Sequence, residues 1–461
     1  MKFVENAFQR FANKTPICVM ARATLENALS AARVDAVFER HARAQYSGEL
    51  LFSTVADIMG QVVLRIHPSV NAAYVDRKEE IGVTVKSVYD KLKGIEGPVS
   101  RALLRDTAGR MQAMIAQTGG VREPLVAGYH TKIVDGNHLR RTDRRIGQLR
   151  PLNVAPLPGK ALVVYDPQYR LAIDVLPCED GHASERSLLP ELLESVQADD
   201  LWIADRNFCT VAFLFAIAAK KAKFIIRQHA NVPFKLKGQR QRIGEGETGT
   251  VYEQAIEITD AQGTTRTFRR ITIVLHEPTR NGATEVHLLS NLPKRIGALR
   301  IAELYRGRWT IETAFQEVAE NLEGEIETLG YPKAALFGFC MALVSYNVFS
   351  VIRAAVQAVH GEAAAKELSA YYVCHEIASI HEGMSVVLED DFWQQRFSCL
   401  TPAQMAVELK RLAGNIRLSK FKKNPWSSKK KPKPQASKQN RGHQSTYRIL
   451  ENTQKNTATT V

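Results

Sequence analysis

Two aspartates stand where apolar runs end. Gly128-Tyr-His-Thr-Lys-Ile-Val-Asp135 and Leu201-Trp-Ile-Ala-Asp205 each read as a strand closing on an acid. If those strands lie parallel and adjacent, the two carboxylates sit several ångströms apart at the sheet edge where open α/β sheets take ligands. Like charges that close repel unless a cation lies between them. Mg²⁺ suits such a place, because it needs few carboxylates and fills its other positions with water or phosphate oxygens. A third acid on a helix against the sheet would complete a two-metal centre. Such a centre activates an attacking hydroxyl on one side and stabilises the leaving oxygen on the other. The plainer alternative for each Asp, taken singly, is a turn former or helix cap.

The third acid comes from Tyr305-Arg-Gly-Arg-Trp-Thr-Ile-Glu-Thr-Ala-Phe315. On a helix Arg308 and Glu312 share a face, and Tyr305 lies nearly two turns before Glu312 on that face too. The stretch resembles the signature helix of the bacterial insertion-sequence-four family of DDE transposases, with Tyr305, Arg308 and the catalytic Glu312 at its spacing. Val134-Asp-Gly-Asn-His-Leu139 is similar to that family's first-Asp motif, and Ala204-Asp-Arg-Asn-Phe208 to its second. The resemblance runs from about 125 to 360. One departure is Ala319, seven residues after Glu312, where the family usually has a Lys near the cleaved end.

The resemblance implies an α/β fold: an RNase H-like mixed-sheet core with a β-rich insertion, flanked by N-terminal and C-terminal helical regions. It implies that Asp135, Asp205 and Glu312 are catalytic and bind two Mg²⁺ ions, with Mn²⁺ as a substitute. It further implies cleavage at transposon inverted-repeat ends and joining of the freed 3′-hydroxyls to target DNA. Arg308, Tyr305 and Arg206 would face the DNA backbone. Trp309 would either stack on an unpaired base or be a core aromatic. His138 is read as structural or DNA-facing, because hard Mg²⁺ prefers oxygen. Synapsis of two ends implies a homodimer on DNA.

The elements that must position these residues divide the chain into five expected regions. Residues 1–122 read as helical and DNA-binding. Within them Gly82-Val-Thr-Val-Lys-Ser-Val-Tyr-Asp-Lys-Leu92 offers Thr84 as a helix cap and Lys86 and Lys91 as DNA contacts. Residues 123–229 hold a three-strand meander, then helix, strand, helix, strand. Residues 230–293 alternate apolar and polar, and read as an all-β insertion. Residues 294–415 return to helices, and 416–461 are expected to be a basic disordered tail. Ala334 to Val356 is apolar enough to raise a membrane span, but Ser345, Tyr346, Asn347, Ser350 and Arg353 interrupt it. A helix buried in a soluble core is the expectation.

Charge points to an anionic partner. The formal net charge is +14, and twelve Lys or Arg with no Asp or Glu lie between Lys410 and Arg441. Subtracting those twelve leaves +2 for the rest, so the tail carries the excess. DNA contact through counterion release is the expectation, against a solubilising tail or an anionic membrane. The six cysteines are scattered with no C-x-x-C pair, which argues against a zinc site or disulfide framework and fits a reducing bacterial cytoplasm. The N-terminus lacks the pattern of a secretory signal. Three other readings remain open: a stand-alone nuclease on the same core, a non-catalytic DNA-binding protein, and a phosphatase. The last lacks a phosphate-cradling Gly motif.

Overall fold

A computed structural model of the chain describes residues 2–139, 146–152, 154–279, 282–423 and 442–458. Nine strands among the described residues form one sheet. They are β1 (His130–Leu139), β2 (Gly159–Asp166), β3 (Leu171–Cys178), β4 (Asp200–Ala204), β5 (Lys223–Arg227), β6 (Lys235–Glu245), β7 (Gly249–Thr259), β8 (Thr265–Leu275) and β9 (Glu285–Ser290). Their order across the sheet is β3-β2-β1-β4-β5-β9-β8-β7-β6. β1, β2 and β3 make the expected antiparallel meander. β1, β4 and β5 run parallel to one another. This order and these directions are those of an RNase H-like core.

The β-rich insertion is present, but it is not a separate body. Its last strand returns antiparallel to β5, with Leu289 opposite Ile226 and Ser290 opposite Ile225. Core and insertion therefore share one continuous hydrogen-bonded ladder.

Alternation along the strands gives the sheet two apolar faces. Val134, Trp202, Ala204, Phe224, Ile226 and Leu289 pack beneath the helices Leu189–Glu194 and Val211–Ala219. The first helix expected after the meander begins as a 3₁₀ turn at Glu185–Leu188 and ends at Glu194. Ile133, Val163, Val175, Leu201, Ile203, Ile225, Leu288 and Ile271 face the other way. That second core is shared with helices from both ends of the chain, so the N-terminal and C-terminal helices close around one interior.

At its centre lies Pro332–Glu367, a helix interrupted at Gly361. It is long and apolar enough to cross a membrane by length and composition, yet its most apolar window is wholly buried in the protein. Its polar residues explain the preference. The Asn347 side chain accepts from the Ala172 backbone N–H and donates to the Ala172 carbonyl, both at 2.8 Å. It meets the outer strand beside the irregularity between Val164 and Tyr165 in the β2–β3 pairing. Ser350 donates to the Arg170 carbonyl, the Tyr346 and Tyr165 hydroxyls meet, and Arg353 pairs with Glu317 at 2.8 Å. Tyr346, Asn347, Ser350 and Arg353 thus each bond a neighbouring element, while Ser345 donates to the Met341 carbonyl of its own helix.

The chain beyond 416 departs from the expected tail. The stretch 424–441 lies outside the described residues. His443–Ser445, however, pairs parallel with Ala155–Leu157 and leads into the helix Thr446–Ala458. Ser445 and Thr446 are buried, and Arg448 pairs with Asp180 at 2.7 Å. Strand pairing and burial of these few residues outweigh a composition that looks unable to fold.

Replacing Asn347 by Leu should leave the buried Ala172 N–H and carbonyl without this partner. At about 1–3 kcal/mol for each unsatisfied buried group, a clear loss should appear in urea unfolding. Wild-type stability would mean that the amide is not holding the strand.

Candidate active site

The geometry of the site follows from one register. Val134 of β1 pairs with Ala204 of β4, and Ala204 pairs with Ile226 of β5. The next residue on each strand is Asp135, Asp205 and Arg227. All three extend a common row on the face that carries Ile133, Ile203 and Ile225. Asp135 does not end its strand, contrary to the sequence expectation. β1 continues to Leu139 because β2 goes on pairing with it, with Asp135 opposite Val163. What ends beside Asp135 is its parallel neighbour β4, and that opens the edge.

Asp205 turns the chain. Its carboxylate accepts from the Asn207 backbone N–H at 2.7 Å and caps the short turn Arg206–Phe208. Arg206 is exposed beside it. The flexible Glu185 carboxylate lies over Gly136, where a Cβ would meet it. Glu185 also accepts from Asn207 Nδ2 at 3.3 Å, so a fourth acid stands at the rim.

Glu312 arrives from the far side. The helix Ala298–Arg306 carries Tyr305, a 3₁₀ turn spans Gly307–Trp309, and Glu312 lies in the first turn of Thr310–Asn321. The single helix expected over this stretch is therefore broken at Gly307. Arg308 still reaches Glu312, with Nη2 to Oε1 at 2.8 Å, and its Nη1 meets Asp135 Oδ2 at 2.5 Å. The guanidinium thus bridges two of the three acids. Its side chain is 10% exposed, Asp135 is 19% exposed and Glu312 50%.

Electrostatics follow from this crowding. Burial pushes the Asp135 carboxyl up to about 6, and the charges of Asp205 and Glu312 push the same way against Arg308. Burial works against the Arg308 charge, but Asp135, Tyr305 and Glu312 outweigh it and hold the guanidinium more firmly protonated. Tyr305 is raised by burial and hydrogen-bonds Arg308. Trp309 is 63% exposed, which removes the core-aromatic alternative.

Residues 132–347 match a family model described as the transposase DDE domain. This segment is similar to that family. The matched stretch takes in Asp135, Asp205 and Glu312, and its far end reaches the buried helix at Asn347. A relative from Sinorhizobium fredii (strain NBRC 101917 / NGR234), named "Putative transposase y4zB", is 29% identical over 248 residues. The match covers 49% of this chain and 64% of that protein, so less than two thirds of the relative is spanned. Among solved structures, a piggyBac transposase synaptic complex with hairpin DNA aligns with a TM-score of 0.40 and 13% identity. That alignment covers 85% of this chain and 87% of the other.

Whether the matched stretch suits a divalent cation can be tested on its donors. Asp135 and Asp205 are oxygen ligands on neighbouring strands, and mutual repulsion helps raise Asp135. A hard cation between them would relieve that strain. Among the described residues no group of three His, Cys, Asp or Glu is already gathered as a metal cage. Arg308 pairs at once with Glu312 and Asp135. The donor set fits, with Arg308 as the group that must yield.

Other expected contacts are dispersed. Thr84 caps the helix Val85–Gly94 by accepting from the Ser87 N–H, and Lys86 on that helix is exposed. Lys91 is engaged within the protein. Its ammonium donates to the Tyr46 carbonyl at 2.8 Å and lies 4.3 Å from the centre of the Phe38 ring. Two site neighbours, Glu185 and Arg227, escape sequence reasoning. Only strand order places Arg227 beside Asp205, and only folding brings Glu185 over Gly136.

Replacing Arg308 by Met should leave Asp135 and Glu312 without their shared cation. In EDTA the variant should lose about 1–3 kcal/mol, the cost of stranding a buried polar group, and millimolar Mg²⁺ should restore much of it. Equal stability of variant and wild type in EDTA would show that the guanidinium does not neutralise the acids.

Proposed function

We propose that the chain is a DNA transposase of the insertion-sequence-four type, which cleaves DNA at transposon inverted-repeat ends and joins the 3′-hydroxyls to target DNA. One observation carries the reading. Within the matched stretch, the β1–β4 register sets Asp135 beside Asp205, and Arg308 ties Glu312 to Asp135.

Asp135, Asp205 and Glu312 would hold two Mg²⁺ ions, or Mn²⁺ in their place. When bound, the ions supply an activated hydroxyl and a stabilised leaving oxygen. Arg308 gives up its bridge to the acids and pairs with a phosphate of the cleaved strand, for which a guanidinium is well shaped. Tyr305 holds that guanidinium by a hydrogen bond. Arg227, in the same row as the two aspartates, adds positive charge beside Tyr305. Arg206 meets the backbone at the rim. Trp309 stands out into solvent near the acids, where it is free to stack on an unpaired base. Lys86 contacts the duplex from the N-terminal helices. Lys91, already bonded inside the protein, contributes less there. Ala319 leaves the family's usual Lys contact to other cations. Two copies hold two ends together, as a bacterial cytoplasmic assembly on DNA.

The test is cleavage of a labelled duplex carrying the flanking inverted repeat in Mg²⁺. Glu312→Gln should bind the end normally and lose at least about 10²–10³-fold in cleavage, the scale of removing one preorganised charged group. Cleavage at the wild-type rate would remove Glu312 from the triad. Strand transfer by the wild type separates a transposase from a stand-alone nuclease.

The basic segment gives a second outcome. Residues 424–441 contain six Lys or Arg and no acid. Changing all six to Gln should reduce the salt slope of DNA binding by up to about 5, at roughly 0.9 per phosphate contact. An unchanged slope would assign the phosphate contacts elsewhere.

A further inference from the structure

The insertion has two electrically different faces. On the face covered by the helix Ala298–Arg306, Arg269 pairs with Glu253 at 2.7 Å, and the apolar Val251, Ile271 and Ile273 meet Ile301 and Leu304. The opposite face is built from every second residue. Tyr252 lies opposite Thr272, and Thr272 opposite His287. Arg266, Phe268 and Arg270 fall on the same side of β8 as Thr272 by their even spacing. The helix Val211–Ala219 covers this face as far as Phe268, which meets the rings of Phe215 and Phe224. Beyond that point Arg240 is exposed, Tyr252, Arg270 and His287 are half-buried, and Thr272 between them is buried.

Three arginines on this face each lie over an aromatic ring. Arg240 stands 4.2 Å from the centre of Tyr252, Arg270 5.2 Å from Phe234 and Arg266 5.6 Å from Phe215. Stacking fixes a guanidinium plane while leaving its edge for a partner. Arg270 is further held by a neutral group, Gln228 Oε1, at 2.8 Å. The buried Nε of Arg266 has no hydrogen-bond partner. On this face Arg240 reaches Glu285 at 3.1 Å, and on β6 Arg242, opposite Tyr252, pairs with Glu245 at 2.6 Å. Glu285 stays about a third exposed. Four guanidiniums, those of Arg240, Arg242, Arg266 and Arg270, therefore face two acids. The local field is positive enough to act on His287: burial holds its imidazole down at about 4, and Arg270 and Arg240 reinforce this against Glu285.

We propose that this face of the insertion is a second DNA-binding surface, which grips the phosphate backbone of duplex outside the groove that holds Asp135, Asp205 and Glu312. Uncompensated, pre-oriented guanidiniums bind phosphate edges and release counterions. The acids of the catalytic groove lie on the other side of the sheet, so one protein presents two separate tracks for DNA. The inference rests on the reading of the chain as a DNA-acting enzyme, and goes beyond it by placing a second contact.

The test uses the full chain and two duplexes, one long and one just long enough to fill the catalytic groove. Binding to the long duplex is followed across salt concentration by fluorescence anisotropy. The double substitution Arg240→Gln with Arg270→Gln should weaken it at least tenfold and lower the salt slope by about 2. Mg²⁺-dependent cleavage of the short duplex should stay at the wild-type rate. Glu285→Gln removes the acid that pairs with Arg240 and should tighten long-duplex binding several-fold, a gain that misfolding cannot produce. Unchanged affinity and slope in both variants, with normal short-duplex cleavage, would overturn the second surface and leave the proposed active site standing. Variant-sensitive duplex binding by a wild type that never cleaves would retain the surface and sink the transposase reading. A wild type that binds no duplex would overturn both.

Discussion

Parallel pairing between β1 and β4 is the constraint on which the site depends. A shift of one residue in either strand would send its Asp to the opposite face, among Val134, Trp202 and Phe224. The register is secured from both sides. β2 holds β1 along its length, and β5 holds β4. The alternating apolar residues that fill the two interiors thus also aim the acids, and packing and chemistry share one pattern.

That arrangement is costly, and the protein answers the cost locally. Burial, with Asp205 and Glu312 nearby, raises Asp135 well above the usual range. Arg308 answers by bonding Asp135 and Glu312 at once. Its charge is held against burial by Asp135, Tyr305 and Glu312, and its Nε has no hydrogen-bond partner. A guanidinium with one donor still unused, bound to acids that a cation would claim, is well suited to change partners. The same logic of local answers runs through the buried helix Pro332–Glu367, where Asn347, Ser350 and Arg353 each find a partner on a neighbouring element.

Much of this is legible in the sequence, for identifiable reasons. Asp135 and Asp205 can be found because apolar runs lead into both, and Glu312 because its spacing from Arg308 and Tyr305 matches a known signature. The insertion shows as a change from helical to alternating periodicity. Neighbours set by strand order are hidden. Arg227 is an ordinary residue in its own segment and becomes part of the site only because β5 lies next to β4. Glu185 is hidden for the same kind of reason. The break at Gly307 is hidden because the side chains around it keep helical spacing. The fold of 442–458 is hidden because a short polar stretch gives no periodic signal, and its strand is completed by Ala155–Leu157 from far away in the chain. The alternating surface residues of β7 and β8 look like routine solvated positions until the rings beneath the arginines are seen.

The return of β9 to β5 has a consequence for how such proteins diversify. An insertion joined only by two loops could be exchanged between relatives as a cassette. Here the junction is itself a ladder, with Leu288, Leu289 and Ser290 matched to Arg227, Ile226 and Ile225, and Arg227 adjoins the row of Asp135 and Asp205. A transplanted insertion would have to reproduce that seam residue by residue, or it would disturb the neighbours of Asp205. Change is therefore easiest far from the seam, on the outer strands β6 to β8, where side chains can vary without moving the acids.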